Sequence, residues 1–143
     1  MLALWECNIT DIGPLQHLKK LRTLDLRDND IKDIASLKDL TALESLLFWN
    51  NQFSDVSPLT GLTNLHTLGL NSTSVTDITP LKGLHHLRML DLEYTDVEDL
   101  SPLENLKNLN HLNISRTNAT HLSFLGGLNQ LSELSVEGND IQE

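Results

Sequence analysis

A step of 22 residues runs through this chain and constrains its fold more than any other feature. From Leu21 the stretch LRTLDLRDNDIKDIASLKDLTA is followed by LESLLFWNNQFSDVSPLTGLTN from Leu43, and further units open at Leu65, Leu87 and Leu109. Five full repeats (21–42, 43–64, 65–86, 87–108 and 109–130) stand between a partial one at 1–20 and another at 131–143. Self-similarity at a fixed period of this size defines a solenoid, because one repeat cannot bury its own apolar face and stacked neighbours do so instead. The whole of 1–143 therefore reads as a single domain.

Each unit can be numbered from its opening leucine. Positions 1, 4, 6, 11, 14, 17 and 20 are then apolar wherever the chain covers them, and of 32 leucines only Leu47 falls outside this frame. Positions 3 to 7 alternate with the period of a strand, 4 and 6 facing inward. The wider apolar spacing that follows bends over the back of the coil. Position 16 holds Pro14, Pro58, Pro80 and Pro102, where a backbone donor is dispensable and φ is preset. Position 13 holds Asp11, Asp33, Asp55, Asp77 and Asp99, placed to accept amide hydrogens at the start of a short helical turn. A ladder of calcium ligands is the alternative reading of the same carboxylates.

The pattern LxxLxLxxN followed by I-x-D-I-x-P-L-x-x-L resembles the 22-residue leucine-rich repeat of internalins and phosphatase-regulator-like proteins. The resemblance covers the whole chain and implies a curved α/β solenoid. Its concave face would be a parallel β-sheet and its convex face short 3₁₀ or irregular segments. It also implies a non-enzymatic, protein-binding module, and both a bacterial cell-surface or secreted protein and an intracellular regulator fit it. Asparagine at position 9 of such repeats bonds neighbouring backbone inside the coil. It is present as Asn29, Asn51 and Asn139 and replaced by Cys7, Thr73, Thr95 and Thr117. A thinner polar ladder in the middle repeats follows, and a buried structural thiol at Cys7. The fifth full repeat is the loosest, with Ala119, His121 and Phe124 where a larger apolar residue, Asp and Pro stand elsewhere.

Charge and composition narrow the partners. Twenty Asp and Glu against ten Lys and Arg give a net charge of −10, which disfavours nucleic acid and anionic lipid surfaces. No apolar run is long enough to span a bilayer, and no basic-then-apolar start marks a signal peptide. One cysteine excludes an internal disulfide and a multi-cysteine metal site. His85 and His86 read as solvated turn residues, and no serine, histidine and aspartate spacing suggests a triad. Neither a cofactor nor a catalytic site is expected. Sequons at Asn8, Asn71, Asn113 and Asn118 read as chance, since a glycan on Asn71 or Asn113 would obstruct the predicted binding face.

At the two ends Leu2 and Leu4, and Leu134, Val136 and Ile141, lack a stacking neighbour within the chain. The expectation is a segment of a longer protein, or ends covered by self-association. A structural spacer or self-assembling unit of a larger surface protein is the reading that competes with binding.

Positions 3, 5, 7 and 8 of each repeat are expected to point out from the strands onto the concave surface, and one position repeated across strands makes a column with neighbours about 4.8 Å apart. The position 7 column reads Trp5, Arg27, Trp49, Asn71, Glu93, Ser115, Glu137, and the position 5 column Ala3, Asp25, Leu47, Gly69, Asp91, Asn113, Ser135. Tryptophan, tyrosine and arginine are the residues most enriched at interface hot spots. The predicted partner-binding residues are Trp5, Asp25, Arg27, Leu47 and Trp49, with Met89, Asp91, Glu93 and Tyr94 as a second patch. One end of this divided surface suits an apolar or aromatic anchor of a protein or peptide, and the other a basic group.

Overall fold

The computed structural model describes residues 1–142; Glu143, the last residue of the final partial repeat, lies outside them. One parallel sheet of seven strands runs in chain order: β1 (Leu2–Ala3), β2 (Thr23–Asp25), β3 (Ser45–Leu47), β4 (Thr67–Gly69), β5 (Met89–Asp91), β6 (His111–Asn113) and β7 (Glu133–Ser135). Register advances by the repeat length, so Leu24 pairs with Leu46 and Leu46 with Leu68. Regular pairing covers positions 3 to 5, shorter than the alternation predicts. The backbone ladder nonetheless continues, with Leu26 N–H donating to Leu47 O (2.7 Å) and Asp28 N–H to Trp49 O (3.1 Å).

Between strands the chain makes 3₁₀ turns at Gly13–His17, Ala35–Leu37, Ser57–Leu59, Thr79–Leu81, Ser101–Leu103 and Ser123–Gly127. The apolar spacing explains them. Positions 14, 17, 20 and the next position 1 lie three apart, and side chains three apart eclipse on a 3₁₀ path. The hydrogen bonds follow the same steps: Leu37 N–H to Ile34 O, Leu40 N–H to Leu37 O, and Leu43 N–H to Leu40 O. All four side chains, from Ile34 to Leu43, therefore face one interior and are fully buried. Each position 13 aspartate accepts the N–H two residues on, at Gly13, Ala35, Ser57, Thr79 and Ser101, over 2.8–2.9 Å. Each aspartate stands one residue before the N-cap and bonds the first amide of its turn.

The polar ladder thins as predicted. Asn29 Oδ1 accepts from the N–H groups of Cys7 (3.1 Å) and Ile9 (2.9 Å), and its Nδ2 donates to the carbonyls of Leu4, Leu26 and Arg27. Asn51 reaches back in the same way to Ile31 N–H and Leu26 O. Thr73 and Thr95 only donate within their own coil, to Leu70 O and Leu92 O.

One expectation is corrected here. Cys7 is exposed rather than buried, its thiol donating to Trp5 O at 3.2 Å. In interior repeats position 9 is covered by both adjacent coils, whereas among the described residues Cys7 has a coil on one side alone. For the same reason Leu2, Leu4, Ile9 and Leu15 pack only partly against the core. Phe124, out of frame in the sequence, is buried.

Candidate functional site

Position 8, three residues past the end of each strand, is a left-handed residue. Glu6, Asp28, Asn50, Ser72, Tyr94 and Arg116 all have φ of 55–57°, and Gly138 has 75°. Most of these side chains carry no sequence signal for that backbone; the stacked neighbours impose it, at about 1–2 kcal/mol per residue. The turn directs the position 7 side chain onto the sheet face and the position 8 side chain onto its rim.

On that face the structure brings Trp5, Asp25, Arg27, Leu47 and Trp49 together. Asp25 is buried (5% exposed), and Arg27, two residues beyond it and just past the end of β2, closes on it with Nε–Oδ1 at 2.7 Å and Nη2–Oδ2 at 2.6 Å. The hydrogen bonds to Asp25 hold the Arg27 guanidinium above its ordinary pKa. Its Cζ lies 4.7 Å from the centroid of Trp49 and 6.0 Å from that of Trp5, so one cation stacks between both indoles. Opposite Leu47 in the register stands Gly69. A Cβ placed on Gly69 would meet Trp49 Cε3 at 2.9 Å and Leu47 Cδ2 at 3.4 Å, which means the indole lies over the bare backbone of β4. Leu47 and Trp49 are half-buried by this seating, whereas Trp5 is 52% exposed. The result is an apolar ledge whose position is set by an ion pair on one side and a glycine beneath.

The second predicted patch divides. Asp91 and Glu93 share the sheet face: Asp91 Oδ1 accepts Glu93 N–H at 2.9 Å, and Glu93 Oε2 accepts from Asn113 Nδ2 at 3.3 Å. Burial first, and then the neighbouring Glu93 charge, raises the Asp91 carboxyl above its usual pKa. Met89 (44% exposed) stands at the other end of the same strand, opposite His111, whose Nε2 is 3.1 Å from Glu133. Tyr94 lies on the rim at φ 56°, with Arg116 Cζ 5.0 Å from its ring centroid. The sequence reading put position 8 on the same surface as positions 3, 5 and 7, which is why the four read as one patch.

Sequence reasoning did not single out Gly69 or Arg116, and took Asn71 only as a chance sequon on the predicted binding face. A glycine inside a strand and next to a tryptophan column is the signal that could have found Gly69. Asn71, between Trp49 and Glu93 in the column, has a buried Oδ1 without a hydrogen-bond partner. A surface cavity of about 770 Å³ lies away from this face, where Asp77, Asp99, Glu104, His121 and Phe124 contribute to its lining. Two of its aspartates already bond the first amides of their turns. Among the described residues no group of three or more His, Cys, Asp or Glu could hold a metal ion, and no helix is long and apolar enough to cross a membrane.

A parallel ladder on one side, 3₁₀ turns on the other and a leucine frame between them define the leucine-rich repeat class. The family model for leucine-rich repeats in two copies matches residues 1–39 and 41–83, and the chain belongs to that family. Its fold is similar to that of an internalin (inlF) from Listeria monocytogenes, with TM-score 0.93 and 30% identity over 94% of this chain and 40% of that one. Internalin C2 of the same organism aligns with TM-score 0.82 and 29% identity over 99% of this chain and 73% of that one. A leucine-rich repeat protein of Leptospira interrogans shares the fold at TM-score 0.73 and 24% identity, over 99% of this chain and 43% of that one. The chain thus spans 40% of the length of the inlF structure. Comparison with curated proteins gives no match. Leucine-rich repeat proteins are in general protein-interaction modules, and internalin-like members are typically non-enzymatic.

Proposed function

We propose that this chain is a protein-binding module that takes a protein or peptide on its concave sheet and performs no catalysis there. The observation that carries this reading is the ledge: Trp49 seated on Gly69, stacked under Arg27 and flanked by Leu47 and Trp5. Such a surface is ordered before any partner arrives, so little side-chain freedom is lost on binding. A large indole held outside the core of a complete interior repeat contributes nothing to the leucine frame, and anchors of this type dominate interface energetics.

Affinity capture with wild type beside Leu47→Ser/Trp49→Ala tests it, once circular dichroism has shown that both fold alike. A partner held by the wild type and lost from the double variant is the expected result; equal capture by both would remove the site from this face. A second reading, a spacer or self-assembling unit, is favoured by the exposure of Leu18 and Leu134 in the end coils. Association that grows with concentration and survives loss of Leu47 and Trp49 would establish it in place of the first.

A further inference from the structure

The outward columns at positions 3, 5 and 7 contain a single arginine, no lysine and one histidine. The arginine, Arg27, is closed on Asp25 through two hydrogen bonds, and His111 faces Glu133. On the rim, Arg116 reaches Glu137 at 3.6 Å. Among the described residues this leaves Asp91 and Glu93 as the adjoining carboxylates of the face with no cation opposite. Their only side-chain hydrogen-bond partners are the Glu93 N–H and the Asn113 amide. Asp91 is half-buried, so water solvates its charge incompletely, and its raised pKa reports that deficit.

The unpaired charge lies next to the ledge. Leu47 and Asp91 occupy position 5 two strands apart, and Trp49 and Glu93 occupy position 7 two strands apart. Two strand spacings are about 9.6 Å. Between them are Gly69, which has no side chain, and Asn71.

We propose that the concave face takes a basic polypeptide segment, with an apolar side chain on the Trp49–Leu47 ledge and a lysine or arginine about 10 Å further on against Asp91 and Glu93. This rests on the concave-face reading above and names the chemistry of its partner. Asp25 and Glu137, which sequence alone would count toward an acidic surface, are excluded because each has its own arginine, and Glu133 is set apart because the His111 ring stands 3.1 Å from it.

Random peptides displayed on phage, panned against the whole chain, supply the probe. Asp91→Asn/Glu93→Gln and Leu47→Ser/Trp49→Ala serve as counter-baits. The neutral pair keeps the local bonding, since Asn113 already accepts Ser115 N–H in the next repeat as Asp91 does Glu93 N–H. Retained peptides are expected to be enriched in Lys and Arg. Resynthesised, they should bind Asp91→Asn/Glu93→Gln about tenfold more weakly or worse, and lose affinity as salt is added. Diffuse attraction to a net charge of −10 predicts little loss, because only two of twenty acidic residues are neutralised. Peptides without basic residues, or indifferent to the neutral pair, would overturn the basic partner and leave the ledge standing. Retention that requires added calcium would make the pair a metal site and overturn it too. Failure to select any peptide sensitive to Leu47→Ser/Trp49→Ala would overturn the concave-face reading itself.

Discussion

Gly69→Ala is the sharpest perturbation of the ledge. The φ of Gly69 lies outside the left-handed region, so alanine can adopt its backbone. The added Cβ would stand 2.9 Å from Trp49 Cε3 and 3.3 Å from Cζ3. Comfortable carbon contacts are about 3.5–4.0 Å, so the ring edge must lift by roughly 0.6–1 Å. Arg27 lies over the other face of the same ring, and Asp25 holds Arg27, so the lift disrupts the stack. Losing that stack costs about 0.5–2 kcal/mol. Alanine in place of glycine within a strand returns about 0.5–1 kcal/mol of chain entropy. Net stability should therefore change by no more than about 1.5 kcal/mol in urea unfolding, while the surface changes markedly. Fluorescence reads this directly in a Trp5→Phe background, where Trp49 is the sole reporter. Emission should shift to the red and acrylamide quenching should increase. Gly61→Ala is the control, because its Cβ would meet nothing closer than Lys38 O at 3.9 Å. Unchanged emission and quenching in Gly69→Ala would refute the seating of the indole. A stability loss above about 3 kcal/mol would show backbone crowding instead of a displaced ring.

Two further outcomes follow from the same geometry. Asn51→Thr keeps the local bond that Thr73 makes but removes the link to the buried Ile31 N–H, and should cost about 1–3 kcal/mol by urea unfolding; a loss below about 0.5 kcal/mol would mean the ladder does not couple the coils. Asp91 binds its proton more tightly in the folded chain than at the ordinary 3.8, so wild-type stability falls as pH rises from that value through the raised one. Asp91→Asn lacks this slope. It should match the wild type below the window and be more stable at neutral pH, and equal melting temperatures at both ends of a pH series would contradict the burial of that carboxyl.

The leucine frame is legible because it is periodic. Every coil makes the same demand at positions 4, 6, 14, 17 and 20, so the inward face of each strand and the aspartates at the start of five back turns follow from spacing, while the 3₁₀ form of the back was implied by the family resemblance. Cys7 shows where that reasoning stops: it holds the position of a buried asparagine, yet among the described residues a coil stacks on one side of it alone and its thiol is exposed. The two tryptophans and Leu47 were visible as large apolar residues at outward strand positions, and Arg27 as the residue between the tryptophans in their column, whereas Phe124, also out of frame, joins the core.

Spacing could not supply the contacts between columns. That Arg27 is spent on Asp25, that Trp49 lies on Gly69, and that Tyr94 turns onto the rim all depend on side-chain rotamers and on the left-handed residue at position 8. Asp25 is only two residues from Arg27, but Trp49 meets Gly69 and Tyr94 meets Arg116 across 20 or more residues, and no local pattern records those rotamers. Sequence by itself determined a leucine-rich solenoid with an acidic, tryptophan-bearing concave face, because apolar periodicity dictates which side of the backbone is buried. Only the tertiary structure decided which of the charges on that face remain unpaired, because a charge is neutralised by what lies within a few ångströms of it in space.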